Sequence, residues 1–328
     1  MKYFPKKLTM TWIRNSYKEG SLTPEELAGE IVRRAEKYRD YNIWIVAPDL
    51  KRMMGYIEKL PKDMESLPLW GIPFAVKDNI DVAGSPTTAA CPDYAYDPKE
   101  DAAVVKKLIE AGAFPVGKTN LDQFATGLVG TRSPYGEVKN ALDPELISGG
   151  SSSGSAVSVA LGMAAFSLGT DTAGSGRVPA ALNCLVGYKP SLGAWSTKGV
   201  VPACASLDCV IVFANSLEDA EKVNLAARGV DEECCWSREY KEPLPKIPKK
   251  ICLAKDGVTF YGPYEDIYKA KWEQAKKRIE DMGITVEYID YTMFSKAASI
   301  LYDLWKSKAG KPCSQCRSSL YLNIIFGQ

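Results

Sequence analysis

Apolar and polar positions alternate along the chain in two periods, and the switches between them mark out the elements. Leu27, Ile31, Val32 and Ala35 recur at helical spacing after Thr23-Pro24-Glu25-Glu26. This predicts a helix from Pro24 to about Tyr38, with Thr23 as cap, Pro at the first helical position and Glu26 able to reach back to the cap amide. Residues 102–111 form a second amphipathic stretch, and residues 264–282 a long one with exposed lysines. Short apolar runs bounded by turn residues predict buried strands at 70–76 and 210–213, and further strands at 113–117, 251–254 and 285–289. Residues 152–168 are apolar but small, interrupted by Ser158, Gly162 and Ser167, and read as a tightly packed buried helix. Residues 241–250, rich in Pro and Lys, read as a linker or surface loop. Strands alternating with helices predict an α/β fold: a mixed or mostly parallel central sheet covered by helices.

Composition narrows the function classes. The 328 residues are 46% hydrophobic and 25% charged, enough for a substantial core. A net charge of +1 offers no basic field for nucleic acid. No stretch reaches the 18 or so apolar residues of a membrane span. Residues 1–15 carry Lys2, Lys6, Lys7 and Arg14 without an apolar signal core, so the nine cysteines are expected as reduced thiols of a cytoplasmic protein. Cys313 and Cys316 make one CxxC, but a zinc site would need a second pair or a histidine, and the chain has no histidine. No metal is expected.

The absence of histidine also shapes the candidate chemistry. Two serine-rich turns, Gly149-Gly150-Ser151-Ser152-Ser153-Gly154-Ser155 and Asp171-Thr172-Ala173-Gly174-Ser175-Gly176-Arg177, stand on glycine-rich backbone. Each taken alone fits a flexible linker or a plain turn. The first, however, opens directly into the small-residue run, where helix-start amides are donors to an anion. The second gathers several backbone N–H groups around one serine, an arrangement suited to an oxyanion. A Ser-His-Asp triad is excluded, so a serine nucleophile here needs a lysine made neutral by its surroundings. Most lysines are simply solvated. Lys77, just after the apolar run ending at Val76, is the one expected to be desolvated. Gly112 to Thr119 also satisfies the phosphate-loop pattern letter for letter, but a helix ends at Gly112 and Phe114-Pro115-Val116 is strand-like, the reverse of the order a phosphate loop requires.

Taken together, these segments resemble the amidase signature family. The resemblance rests on the two serine turns, on Gly71-Ile72-Pro73-Phe74-Ala75-Val76-Lys77-Asp78-Asn79, Gly117-Lys118-Thr119-Asn120-Leu121-Asp122-Gln123-Phe124, Gly187-Tyr188-Lys189-Pro190 and Ser206-Leu207-Asp208, and covers at least residues 70–215. It implies a Ser–cis-Ser–Lys triad. Ser175 matches the nucleophile, Ser151 the serine after a cis peptide, and Lys77 the base. The backbone amides of Thr172, Ala173, Gly174 and Ser175 match the oxyanion hole.

Within the family, Ala173, Gly130-Thr131-Arg132-Ser133-Pro134-Tyr135-Gly136, Gly199-Val200-Val201-Pro202-Ala203-Cys204 and Asn42-Ile43-Trp44-Ile45 are most similar to the allophanate hydrolase subgroup. That resemblance implies a small-molecule amide substrate, no cofactor for the hydrolytic step and a functional link to urea carboxylase; a homodimer is left open. It also matches Tyr302 to a substrate-contacting tyrosine. The arginine expected to hold the substrate carboxylate falls on Gly310, and residues from Leu304 onward depart from the family. The expectation is therefore a partial amidase domain over 1–303, a non-family tail over 304–328, a fold incomplete at its C-terminus, and weak or absent turnover. The alternatives are another amidase, a glutaminase-like subunit of the tRNA-dependent amidotransferase, or an inactive fragment.

Overall fold

The computed structural model describes residues 2–241, 247–255 and 257–298. The chain separates at residues 241/242 into two compact units. The boundary lies inside the Pro- and Lys-rich stretch read as a linker, whereas the sequence reading runs one domain across it.

In the first unit the elements follow in the order α1 (Met10–Lys18), α2 (Pro24–Lys37), β1 (Trp44–Val46), α3 (Leu50–Ile57), β2 (Pro73–Lys77), α4 (Ala103–Glu110), β3 (Phe114–Thr119), α5 (Ser153–Ala160), β4 (Phe166–Asp171), α6 (Arg177–Leu182), β5 (Val186–Tyr188), β6 (Cys209–Ala214) and α7 (Leu217–Ala227). The capping box of α2 forms as its sequence predicts: Glu26 N–H donates to Thr23 Oγ1 and Thr23 N–H to Glu26 Oε2. Six strands make one mixed sheet in the order β1-β3-β2-β4-β6-β5. β2 runs parallel to both β3 and β4, while the outer pairings are antiparallel. Each residue of β2, β3, β4 and β6 is buried, as expected of central strands covered on both faces.

The run 152–168 is not one helix. α5 stops at Ala160, and Phe166–Asp171 is the strand β4. Gly162 makes the difference. It has φ +69°, and a β-carbon there would lie 2.1 Å from Arg34 Nη1 and 2.2 Å from the Lys6 carbonyl. Glycine therefore permits a reversal that the apolar pattern alone does not announce. α5 itself is buried along its whole length. A β-carbon on Gly154 would meet the Ile43 carbonyl at 2.4 Å, so the helix start presses directly on neighbouring main chain.

The second unit, taken by itself, is a β-α-β motif. β7 (Lys250–Ala254) and β8 (Thr285–Ile289) pair in parallel and are joined through α8 (Glu265–Asp281). Among the described residues no helix is long and apolar enough to cross a membrane.

Candidate active site

Lys77 is the last residue of β2 and is fully buried. Its Nζ lies 2.8 Å from Ser151 Oγ and 2.7 Å from Thr170 Oγ1, a residue of the neighbouring strand β4. Asn79 Nδ2 also reaches Thr170 Oγ1, at 3.4 Å, and donates to the Val201 carbonyl at 3.0 Å. Ser151 follows a cis peptide bond, Gly150–Ser151, in the loop that opens α5. Ser152 N–H donates to the Ser175 carbonyl at 3.2 Å, so the two serine turns meet through their main chains. The Ser152 hydroxyl ties the same loop to β4 through the Thr170 carbonyl. Ser175 is only 5% exposed, and its hydroxyl donates to the Gly127 carbonyl at 3.4 Å.

Burial pushes the Lys77 amine down to about 7, against the opposing pull of the Asp122, Asp208 and Asp171 carboxylates. Near neutral pH it therefore exists in both forms. The sequence alone offers no carboxylate partner for it, and the structure supplies three acting at a distance.

Asp171 organises the turn that carries Ser175. Its carboxylate accepts from the amides of Gly174 (2.8 Å), Gly176 (3.1 Å) and Arg177 (3.2 Å), from the Arg177 guanidinium at two atoms, and from Lys189 Nζ (3.0 Å). Burial alone would raise its carboxyl. The Arg177 and Lys189 cations and the Gly174 amide outweigh that and hold it well below the usual carboxylate range. The Gly174 amide is thus engaged by Asp171. Thr172 is anchored separately, its hydroxyl donating to Asp208, which also accepts from the amides of Ala203 and Cys204.

The phosphate-loop-like string is structural. α4 ends at Glu110, Gly112 turns the chain at φ +95°, and Lys118 lies inside β3. Lys118 is 1% exposed and pairs with Asp78 at 3.2 Å, with Thr87 Oγ1 accepting at 3.0 Å. Asp78 Oδ1 forms no hydrogen bond and so depends on this ion pair. Lys118→Ala is expected to destabilise the fold by about 3–5 kcal/mol, because it strands a buried charge, while ATP with magnesium leaves the melting temperature of the parent chain unchanged. A denaturation curve and a melting curve with and without ATP check both halves. A saturable ATP-dependent rise lost in Lys118→Ala would return the string to nucleotide binding.

Comparison with known proteins identifies the family. The sequence model of the family described as Amidase matches residues 26–321. The chain belongs to the amidase signature family. The match runs past residue 303 into the stretch that the sequence reading sets apart. The chain is 47% identical over 267 residues to urea amidolyase of Saccharomyces cerevisiae, covering 80% of this chain and 14% of that protein. It is 35% identical over 307 residues to a glutamyl-tRNA(Gln) amidotransferase subunit of Latilactobacillus sakei, covering 90% of this chain and 62% of that one. A structure of Kluyveromyces lactis allophanate hydrolase superposes with a TM-score of 0.80 at 42% identity, over 90% of this chain and 49% of that one. The chain thus spans a small part of the amidolyase and about half of the solved hydrolase.

Of the three residues that the sequence reading singles out, Lys77 and Ser151 are in direct contact, while Ser175 is tied to the Ser151 loop through the Ser152 to Ser175 main-chain bond. Two neighbours escape sequence reasoning: Thr170, the second acceptor of Lys77, and Asp122. Both lie beside or within the family motifs, Thr170 just before Asp171 and Asp122 in the Gly117–Phe124 segment, but a motif does not say which member touches which. Tyr302, Gly310, Cys313 and Cys316 lie outside the described residues.

Proposed function

We propose that this amidase hydrolyses allophanate through a Ser175–Ser151–Lys77 triad and an acyl-enzyme. The observation that carries the reading is the buried 2.8 Å bond between Lys77 Nζ and Ser151 Oγ, made by an amine whose pKa burial lowers to about 7. In its neutral form Lys77 accepts the Ser151 proton, and Ser151 in turn takes the proton of Ser175. Ser175 Oγ bonds to the amide carbonyl carbon, the C–N bond breaks, and the relayed proton leaves with ammonia. Water then enters the acyl-enzyme by the same relay and restores the serine. With Gly174 held by Asp171, we assign the developing oxyanion to the amides of Thr172, Ala173 and Ser175.

The substrate assignment is supported by higher identity to urea amidolyase than to the amidotransferase relative, 47% against 35%, and it implies a urea-carboxylating reaction upstream. The second reading, a glutamine-dependent amidotransferase component, is favoured by coverage, since that relative aligns over 90% of this chain. Ammonia release measured on allophanate, a simple aliphatic amide and glutamine separates the two. Weak release, from allophanate above the others, is expected, and release from glutamine alone would overturn the assignment.

A further inference from the structure

We propose that Asp122 is a positioning residue for the triad, seating Ser151 through its main chain and the loop against Ser175 through its carboxylate. This rests on the triad reading above. Asp122 is fully buried on the segment after β3. Its N–H donates to the Ser151 carbonyl at 3.0 Å, one residue beyond the cis peptide. Its carboxylate accepts from the amides of Val129 (3.1 Å), Gly130 (3.0 Å) and Arg132 (3.0 Å). Those bonds fix the loop whose Gly127 carbonyl accepts the Ser175 hydroxyl. The loop's Leu128 also packs where a β-carbon on Gly174 would touch it, at 3.4 Å. One residue therefore reaches both serines by separate routes, Ser151 through its main chain and the Ser175-facing loop through its carboxylate.

The surrounding glycines are shaped to this carboxylate. A β-carbon on Gly150 would lie 2.1 Å from Asp122 Oδ2, and one on Gly127 would lie 2.6 Å from the same atom. Glycine at 150 and 127 is what lets the Ser151 loop and the Ser175-facing loop close on Asp122 from two sides. Neither loop has room for any other residue there while the carboxylate stays.

Asp122 also acts on Lys77 through its charge. The groups that face the Lys77 amine are Ser151 and Thr170 in contact, and the carboxylates of Asp122, Asp208 and Asp171 at longer range, with Asp122 first among the three. Each carboxylate favours the ammonium form. Removing the Asp122 charge therefore lowers the proton affinity of Lys77, a consequence that a purely structural residue would not have.

The test is Asp122→Asn, followed by capture of Ser175 with a fluorophosphonate. In that reaction Ser175 Oγ bonds to phosphorus, fluoride leaves, and the serine proton passes to Lys77. The expected result is a capture rate lower by on the order of 10²-fold, with the acid limb of its pH profile moved to lower pH. An unchanged rate together with an unchanged limb would overturn the proposal. Gly127→Ala keeps the charge but crowds its seat, and is expected to slow capture without moving the limb; parent-like capture in this variant also overturns the proposal. The Lys77 side-chain NMR signal, assigned by its loss in Lys77→Met, reports the same proton affinity without any chemistry at Ser175. A parent chain that is never labelled at Ser175 sinks the triad reading. An NMR midpoint that stays put in Asp122→Asn sinks the role of Asp122.

Discussion

Ser175→Ala is expected to abolish ammonia release and covalent capture together, a loss on the order of 10⁴-fold or more. No other group in the proposed reaction bonds to the acyl portion. The hydroxyl stands beside the Asp171-held turn, where several amides converge, and an alanine methyl fits that space without disturbing the Ser152 to Ser175 main-chain bond. The variant should therefore melt like the parent chain. Ser151→Ala should lose less, since a water can stand in for a relay hydroxyl. A folded Ser175→Ala protein that still releases ammonia, or a fluorophosphonate adduct mapped to another serine, removes the nucleophile assignment.

The second large effect is at Lys77. The base must be neutral, and its amine is lowered to about 7 by burial. Below that pH the ammonium form dominates and the rate should fall about tenfold per unit; above it the rate should level off. An ordinary lysine would place this limb near 10.4. Lys77→Arg should lose on the order of 10²–10⁴-fold at every pH, because guanidinium does not release its proton. The measurement is the pH dependence of capture at Ser175. A limb near 10, or a Lys77→Arg chain with near-parental rate, would remove Lys77 from the base role.

Much of the fold is legible because its central strands are short apolar runs and its helices carry strong caps. The strand 285–289 and the helix starting at Pro24 come out as the sequence predicts. The miss at 152–168 has a definite cause. A buried helix and a buried strand are both continuously apolar, and only the left-handed Gly162 divides them. The helices α1 and α7 go unread even though Thr9 and Ser216 cap them. At the site, Lys77, Ser151 and Ser175 are readable as chemistry-bearing residues in glycine-rich or buried settings. Thr170 and Asp122 are not, because their importance lies in distances between segments far apart along the chain. The Gly174 amide shows the same limit: the family resemblance implies four donors, and only the fold reveals that Asp171 accepts from one of them.

Lys77 ends a strand that has neighbours on both sides, and this has a consequence for how the enzyme can diversify. The residue that would drive the chemistry grows out of the same strand that the core is built around, next to Phe74, Ala75 and Val76, all fully buried. There is no hinge or surface turn between reactivity and foldability at this point. Laboratory selection for new substrates would find little freedom along β2 or α5, whose residues are buried along their whole length. Its accessible variation lies at the rim, at positions such as Leu128, which is 41% exposed yet packs beside Gly174. Substrate range can drift there while the proton-transfer centre is inherited unchanged.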